Sequence, residues 1–207
     1  IEVIRGPGAA LWGANAVNGV ISIVSKPARE TQGTLVRAVA GTTNREFAVR
    51  YGGSTGPKSY FRVAAQGLET EGLRLANGAD AGDDRRLLRL SSRWDGQTAG
   101  DAAFTLQSGV YRGLINQVGQ QQSTVQGGHF NARIERRLSE VVTLSAFATY
   151  EHAERRIPLT YSEIRDTGNI ELEASGQKPQ HAAVLGVRTR ASADRIGNGL
   201  ALGFVPT

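Results

Sequence analysis

His129-Phe130-Asn131-Ala132-Arg133-Ile134-Glu135, followed by Val142-Thr143-Leu144-Ser145-Ala146-Phe147-Ala148-Thr149-Tyr150-Glu151, decides the fold. In the first stretch Phe130, Ala132 and Ile134 alternate with His129, Asn131, Arg133 and Glu135. In the second, Val142, Leu144, Ala146, Ala148 and Tyr150 alternate with Thr143, Ser145, Thr149 and Glu151; Phe147 is the exception. Successive side chains of a strand point to opposite faces, so a period of two gives each stretch one apolar and one polar face. A tight turn near Ser139-Glu140 joins the two.

The same reading extends along the chain. Phe47, Val49 and Tyr51 oppose Glu46, Ala48 and Arg50; Phe61, Val63 and Ala65 oppose Arg62 and Gln66. Leu88, Leu90 and Trp94 oppose Arg89, Ser91 and Arg93, and Phe104, Leu106 and Val110 oppose Thr105 and Gln107. Ile170, Leu172 and Ala174 oppose Asn169, Glu171 and Glu173, while Ala183, Leu185 and Val187 precede Arg188 and Arg190. A strand from about Thr34 comes before these, and a further strand is expected to start near Leu200. The chain has 26 Gly and 6 Pro and no helix-period apolar pattern, which also points to an all-β chain punctuated by turns.

Two architectures produce one-sided strands. In a sandwich the apolar face meets a second sheet; in a membrane barrel it meets lipid, and the polar face lines the lumen. Two features favour the barrel. The segments approach ten residues or more, whereas globular strands average five or six and a tilted membrane strand needs about nine to eleven. The connections also alternate: long at 69–84, 114–126 and 153–167, short at 96–101, near 139–140 and at 175–180. Outer-membrane barrels have short periplasmic turns and longer external loops. Tyr51, Trp94 and Tyr150, near strand ends on the apolar face, suit interfacial aromatic girdles.

Composition narrows the function. The 207 residues carry 24 Lys+Arg against 19 Asp+Glu, a formal charge of +5. The arginines are spread singly along alternating strands, without a basic block, so nucleic acid is not the expected partner. Cysteine is absent, which excludes disulfides and zinc-thiolate sites. No apolar run approaches the twenty residues of a membrane helix. His129, His152 and His181 lie on different strands without shared ligand spacing, and are expected in lumen or strand-end roles with no metal site. No catalytic set and no cofactor site is expected, and the chain does not read as an enzyme. Methionine is absent and the chain opens on Ile1 inside an apolar strand, which reads as a processed chain or a fragment.

The first residues form a separate unit. Ile1-Glu2-Val3-Ile4 is a strand candidate, and Gly6-Pro7-Gly8 turns the chain. Leu11-Trp12-Gly13 belongs to a small-residue stretch, Asn18-Gly19 is a tight-turn signal, and Val20-Ile21-Ser22-Ile23-Val24 is a second strand. By spacing alone this is a hairpin of any β protein. However, Arg5-Gly6-Pro7, Leu11-Trp12-Gly13, Ala16-Val17-Asn18-Gly19 and Val20–Val24 follow one another as they do at the end of the plug domain of TonB-dependent outer-membrane receptors. The chain resembles that family over residues 1 to about 28, with Trp12 where Tyr is common; beyond that the likeness is one of barrel pattern.

The resemblance implies residues 1–32 as the end of a plug domain and 33–207 as the N-terminal part of a transmembrane β-barrel, about nine to ten of its strands. Arg5, Gly6, Pro7, Trp12, Gly13, Asn18 and Gly19 would be structural plug residues. Arg50, Arg62, Arg89, Arg93 and Arg133 share the polar parity and would face the lumen, toward the plug or an anionic substrate. The implied function is energy-coupled uptake of a scarce nutrient across the bacterial outer membrane, with a ferric siderophore or other iron complex expected as substrate. The partners would be outer-membrane lipid, the TonB complex through a segment outside this chain, and a small molecule such as a metal chelate. The alternative is an adhesin-like structural β-domain without transport.

Overall fold

In the computed structural model, residues 1–6, 18–119, 121–178 and 181–198 are described. Pro7, Trp12, Gly13 and the strand expected near Leu200 lie outside them. Two short strands, β1 (Glu2–Arg5) and β2 (Gly19–Ser22), pair antiparallel as a separate hairpin. A 3-10 helix at Ala28–Thr31 follows. The chain then enters a single antiparallel sheet of nine strands: β3 (Gly33–Ala40), β4 (Asn44–Gly56), β5 (Ser59–Thr70), β6 (Arg85–Gln97), β7 (Ala103–Ile115), β8 (Ser123–Arg137), β9 (Val142–Ile157), β10 (Tyr161–Lys178) and β11 (His181–Asn198). Each strand pairs with the next in chain order, and β3 and β11 are the two edges among the described residues. The architecture is all-β and matches part of an open-cut barrel wall, with the number of strands expected.

The sheet buries almost nothing against itself. Ala28 and Ala102 are the only buried apolar residues among those described, and no large side chain is fully enclosed. Leu90, Val110, Ile170 and Val187, all of one parity, stand between 47% and 70% exposed. No second sheet covers them, which excludes the sandwich for the described residues. An apolar face this continuous is stable when a membrane replaces the missing layer.

The register shows how the membrane would cross the strands. On the apolar face, Arg45, Glu69 and Arg86 oppose one another in a row at the end bearing the 71–84 loop. On β7 and β8 the first polar pair, Arg112 opposite Gln126, lies two residues closer to the short-turn end. On β9 and β10 it is His152 opposite Asp166, two residues further still. A polar boundary that steps down strand by strand is what tilted strands produce when a flat interface cuts them. Below the boundary Trp94 packs edge-on against Phe104, with ring centroids 5.6 Å apart, and Tyr51 against Phe61 at 5.9 Å. Tyr51 and Trp94 therefore lie toward the short-turn end. Tyr150 lies at the opposite boundary, where its hydroxyl donates to Asp166 at 2.7 Å.

Four sequence expectations are corrected. The long connection at 153–167 is mostly strand: β9 runs to Ile157, β10 starts at Tyr161, and only residues 158–160 turn. Beyond the membrane both faces of a hairpin meet water, so Glu154, Arg155, Arg156, Glu163 and Arg165 need no apolar partner face. The connection at 114–126 shrinks to 116–122 for the same reason. The short connection at 175–180 is also largely strand, because β10 continues to Lys178. Asn18-Gly19 makes no two-residue turn: Gly19 opens β2 opposite Arg5, and the connection spans the residues between them.

Candidate functional site

The site grows from the place where residues 25–32 meet the sheet. Residues facing each other across antiparallel strands share a side of the sheet. Arg62 opposes Arg93, which opposes Gln107; Asp95 opposes Thr105, which opposes Arg133. Arg50 opposes Ala64, two residues from Arg62, and Arg89 opposes Gln66. The five arginines singled out by parity thus share one side, and it is the side on which the 25–32 segment lies.

Only some of them converge. Arg62 donates from Nη1 to the Lys26 carbonyl at 2.9 Å and reaches the Thr31 hydroxyl at 3.4 Å. Arg93 donates to the Ser25 hydroxyl at 2.8 Å and, from Nε, to Asp95 at 2.7 Å. Asp95 accepts the Ala28 backbone N–H at 2.6 Å and the Thr105 hydroxyl at 2.7 Å. Its two oxygens therefore bind three donors from three chain segments. The Arg93–Asp95 pair has side-chain exposures of only 13% and 18%. Charge-assisted hydrogen bonds in such a setting contribute about 1.5–3 kcal/mol each.

The local sequence explains why the segment can dock. Pro27 precedes the 3-10 helix with extended ψ, and the Thr31 hydroxyl and Gln32 amide both donate to the Ala28 carbonyl, at 3.1 and 2.7 Å. The turn is thus closed on itself, leaving the Ala28 N–H free for Asp95. Ala28 is fully buried and Thr31 nearly so. Gly52, on β4 opposite Arg62, provides the floor: a Cβ there would run into the Thr31 carbonyl and the Gln32 Cα.

Arg50 lies beside this junction, and its Nε is buried with no hydrogen-bond partner. Arg89 is exposed and makes no ion pair among the described residues, while Arg133 pairs with Glu135 at 3.2 Å on its own strand. Neither reaches the 25–32 segment. Arg5 opposes Gly19 in the β1–β2 hairpin, Gly6 follows with φ 94°, and Asn18 precedes β2. Val3, Ile21, Ile23 and Val24 of that hairpin region stay well exposed, and the docked segment links the hairpin to the sheet along the chain.

Sequence reasoning missed Asp95, Thr105, Gly52, Ser25 and Ala28. One signal was available. Arg93 and Asp95 are two apart and hence on one face, and an acid among inward arginines is an obvious counter-charge. His152 departs from its expected lumen or strand-end role: it stands on the apolar parity, with Nδ1 2.8 Å from Asp166. Among the described residues no group of three or more His, Asp or Glu side chains is arranged to hold a metal. The junction can fasten one segment to a wall, and that is the chemistry its donors and acceptors supply.

No protein-family model matches the chain. Among curated proteins it is similar to the vitamin B12 transporter BtuB of Vibrio cholerae serotype O1, at 36% identity over 87 residues. That match covers 40% of the chain and 14% of the transporter's length. It is also similar to the vitamin B12 transporter BtuB of Vibrio vulnificus, at 40% identity over 48 residues, 23% of the chain and 8% of that transporter.

Proposed function

We propose that the chain belongs to the TonB-dependent outer-membrane receptor family, a reading supported by its similarity to two vitamin B12 transporters, and that it serves energy-coupled uptake of a scarce nutrient. In this reading residues 1–32 close a plug domain and residues 33–207 build the first part of the barrel around it. Arg5, Gly6, Pro7, Trp12, Gly13, Asn18 and Gly19 are structural residues of the plug. Arg50, Arg62, Arg89, Arg93 and Arg133 face the lumen. The observation that carries the reading is the Asp95 junction: a segment following a small apolar hairpin is hydrogen-bonded to the polar face of a sheet whose other face is apolar. An adhesin-like domain has no use for a segment fastened inside its wall.

Energy would enter through TonB, acting on a plug segment outside the matched residues. The substrate class is a small molecule too large and too dilute for passive pores. Vitamin B12 is placed first, because both relatives carry that name; a ferric siderophore or other iron complex is the second arm of the test. The test is uptake by a strain deleted for the full-length gene, supplied in turn with labelled vitamin B12 and with labelled ferric siderophores, with and without a proton uncoupler. Loss of uncoupler-sensitive uptake of one of them, restored by the gene, supports the proposal and names the substrate. Unchanged uptake of every candidate, with the protein present in the outer membrane, sinks the transport reading.

A further inference from the structure

Tyr111 on β7 and His129 on β8 stand on the same side of the sheet as Arg62, Arg93 and Asp95. Tyr111 opposes Arg89 and Gly127, and His129 opposes Gly109 and Glu151. The two are diagonal neighbours, with backbones about 7–8 Å apart. Each ring lies down across the glycine opposite it. A Cβ on Gly109 would stand 2.5, 3.2 and 3.3 Å from the Cε1, Nε2 and Nδ1 atoms of His129, and a Cβ on Gly127 would stand 2.8 and 3.0 Å from the Tyr111 hydroxyl and Cζ. A larger residue in either place would push the ring up off the wall.

The result is a plate of two half-exposed rings, each with one face on the wall and the other toward the lumen. Among the described residues neither the Tyr111 hydroxyl nor a His129 ring nitrogen makes a side-chain hydrogen bond. Arg89, exposed and without an ion pair among the described residues, borders the plate on the Tyr111 side. Along β7 Tyr111 lies beyond Thr105 by about 20 Å, toward the end bearing the 71–84 loop. The plate therefore stands on the external side of the junction that holds residues 25–32. Open ring faces take a planar π-system by stacking, whatever its identity, because every aromatic ring has a π-face. A guanidinium at the border adds a planar donor for an anionic oxygen.

We infer that Tyr111, His129 and Arg89 select the transported nutrient by a flat aromatic ring that carries an anionic oxygen. The ring stacks on the plate, and Arg89 takes the charge. Two kinds of nutrient named above supply this chemistry: vitamin B12, through its benzimidazole nucleotide with a phosphate, and those ferric siderophores that bind iron through catecholate rings. Siderophores built from hydroxamates carry no such ring. The inference rests on the transport reading and goes beyond it, in naming the chemical feature that is recognised and the residues that recognise it.

The test measures equilibrium binding to the full-length protein in detergent for two matched pairs. The first is vitamin B12 against cobinamide, which lacks the nucleotide; the second is a ferric tricatecholate against a ferric trihydroxamate. The wild type is expected to favour the ring-bearing member of at least one pair by about tenfold, and which pair names the source of the ring. Tyr111→Ala and His129→Ala should each lose most of that preference, and Tyr111→Phe should keep it. Arg89→Gln should weaken the ring-bearing ligand alone. Gly109→Ala should lower the preference as well, since the three atoms nearest its Cβ all belong to the His129 ring and no backbone atom is among them. Equal affinity within both pairs, or no binding of any of the four by folded wild type, overturns the assignment. So does an unchanged preference in Tyr111→Ala or, should that variant fail to fold, in Gly109→Ala. Uncoupler-sensitive uptake without a ring preference would refute this assignment alone; unchanged uptake of every candidate on deletion of the gene is what counts against the transport reading.

Discussion

Asp95 accepts the backbone N–H of Ala28 at 2.6 Å, closing a contact between residues 67 apart in the chain. The carboxylate also holds Arg93 and Thr105, so the first strands of the wall and the segment entering them share one acceptor.

Removing that acceptor should free the segment. Asp95→Ala leaves the Arg93 guanidinium and the Ala28 N–H without their partner in a largely dry place, at an expected cost of about 2 kcal/mol. Hydrogen exchange on the full-length protein checks it. The Ala28 amide should exchange at least tenfold faster, with Asp95→Asn intermediate because one oxygen remains. An Ala28 amide as protected as in the wild type would show that Asp95 does not hold it.

Gly52→Ala tests the same junction from the other side. Its Cβ would meet the Thr31 carbonyl, a backbone atom that cannot swing away, and overpacking of this kind costs about 1–3 kcal/mol. Gly67→Ala, where a Cβ meets nothing, is the control. Protease sensitivity between residues 22 and 33 should rise in the first variant alone. Equal sensitivity in both would remove Gly52 from the account.

The two faces should answer differently to the same charge. Leu90→Arg places a guanidinium within the apolar band, where an outer-membrane barrel loses about 2–4 kcal/mol. Thr149→Arg, on the polar face of β9 opposite Asn131 and Asn169, should cost under about 1 kcal/mol. Urea titration of the full-length protein folded into lipid vesicles reads both. Equal penalties would contradict a lipid-facing side.

Leu159 turns the β9–β10 hairpin with φ 63°, the left-handed region that a leucine occupies at a cost of about 1–2 kcal/mol. Leu159→Gly relieves this, offset in part by the greater freedom of glycine when unfolded. The hairpin tip is expected to gain up to about 1 kcal/mol, seen as slower exchange of the flanking amides. Faster exchange would mean that the leucine side chain, 62% exposed as it is, holds the turn by contacts of its own.

Much of the wall was legible from residues alone. Phe130, Ala132 and Ile134 against Asn131 and Arg133 record their faces locally, because the period of two is a property of the strand itself. The common side of Arg50, Arg62, Arg89, Arg93 and Arg133 follows from the same parity. The 153–167 segment was not legible, because polar residues signal water and water reaches both an external loop and an external hairpin. His152 was misread for a related reason: it sits on the apolar parity but past the boundary where that parity must be apolar.

By itself, then, the sequence determined which residues share a face, that the strands are membrane-length, and which family the opening segment resembles. Only the tertiary structure decided that Arg62, Arg93 and Asp95 fasten residues 25–31 while Arg89 and Arg133 do not. It alone laid Tyr111 and His129 across glycines of the facing strand. Parity is a matter of neighbours along one strand, whereas these contacts depend on register between strands, which pairs residues far apart and is set by the whole sheet.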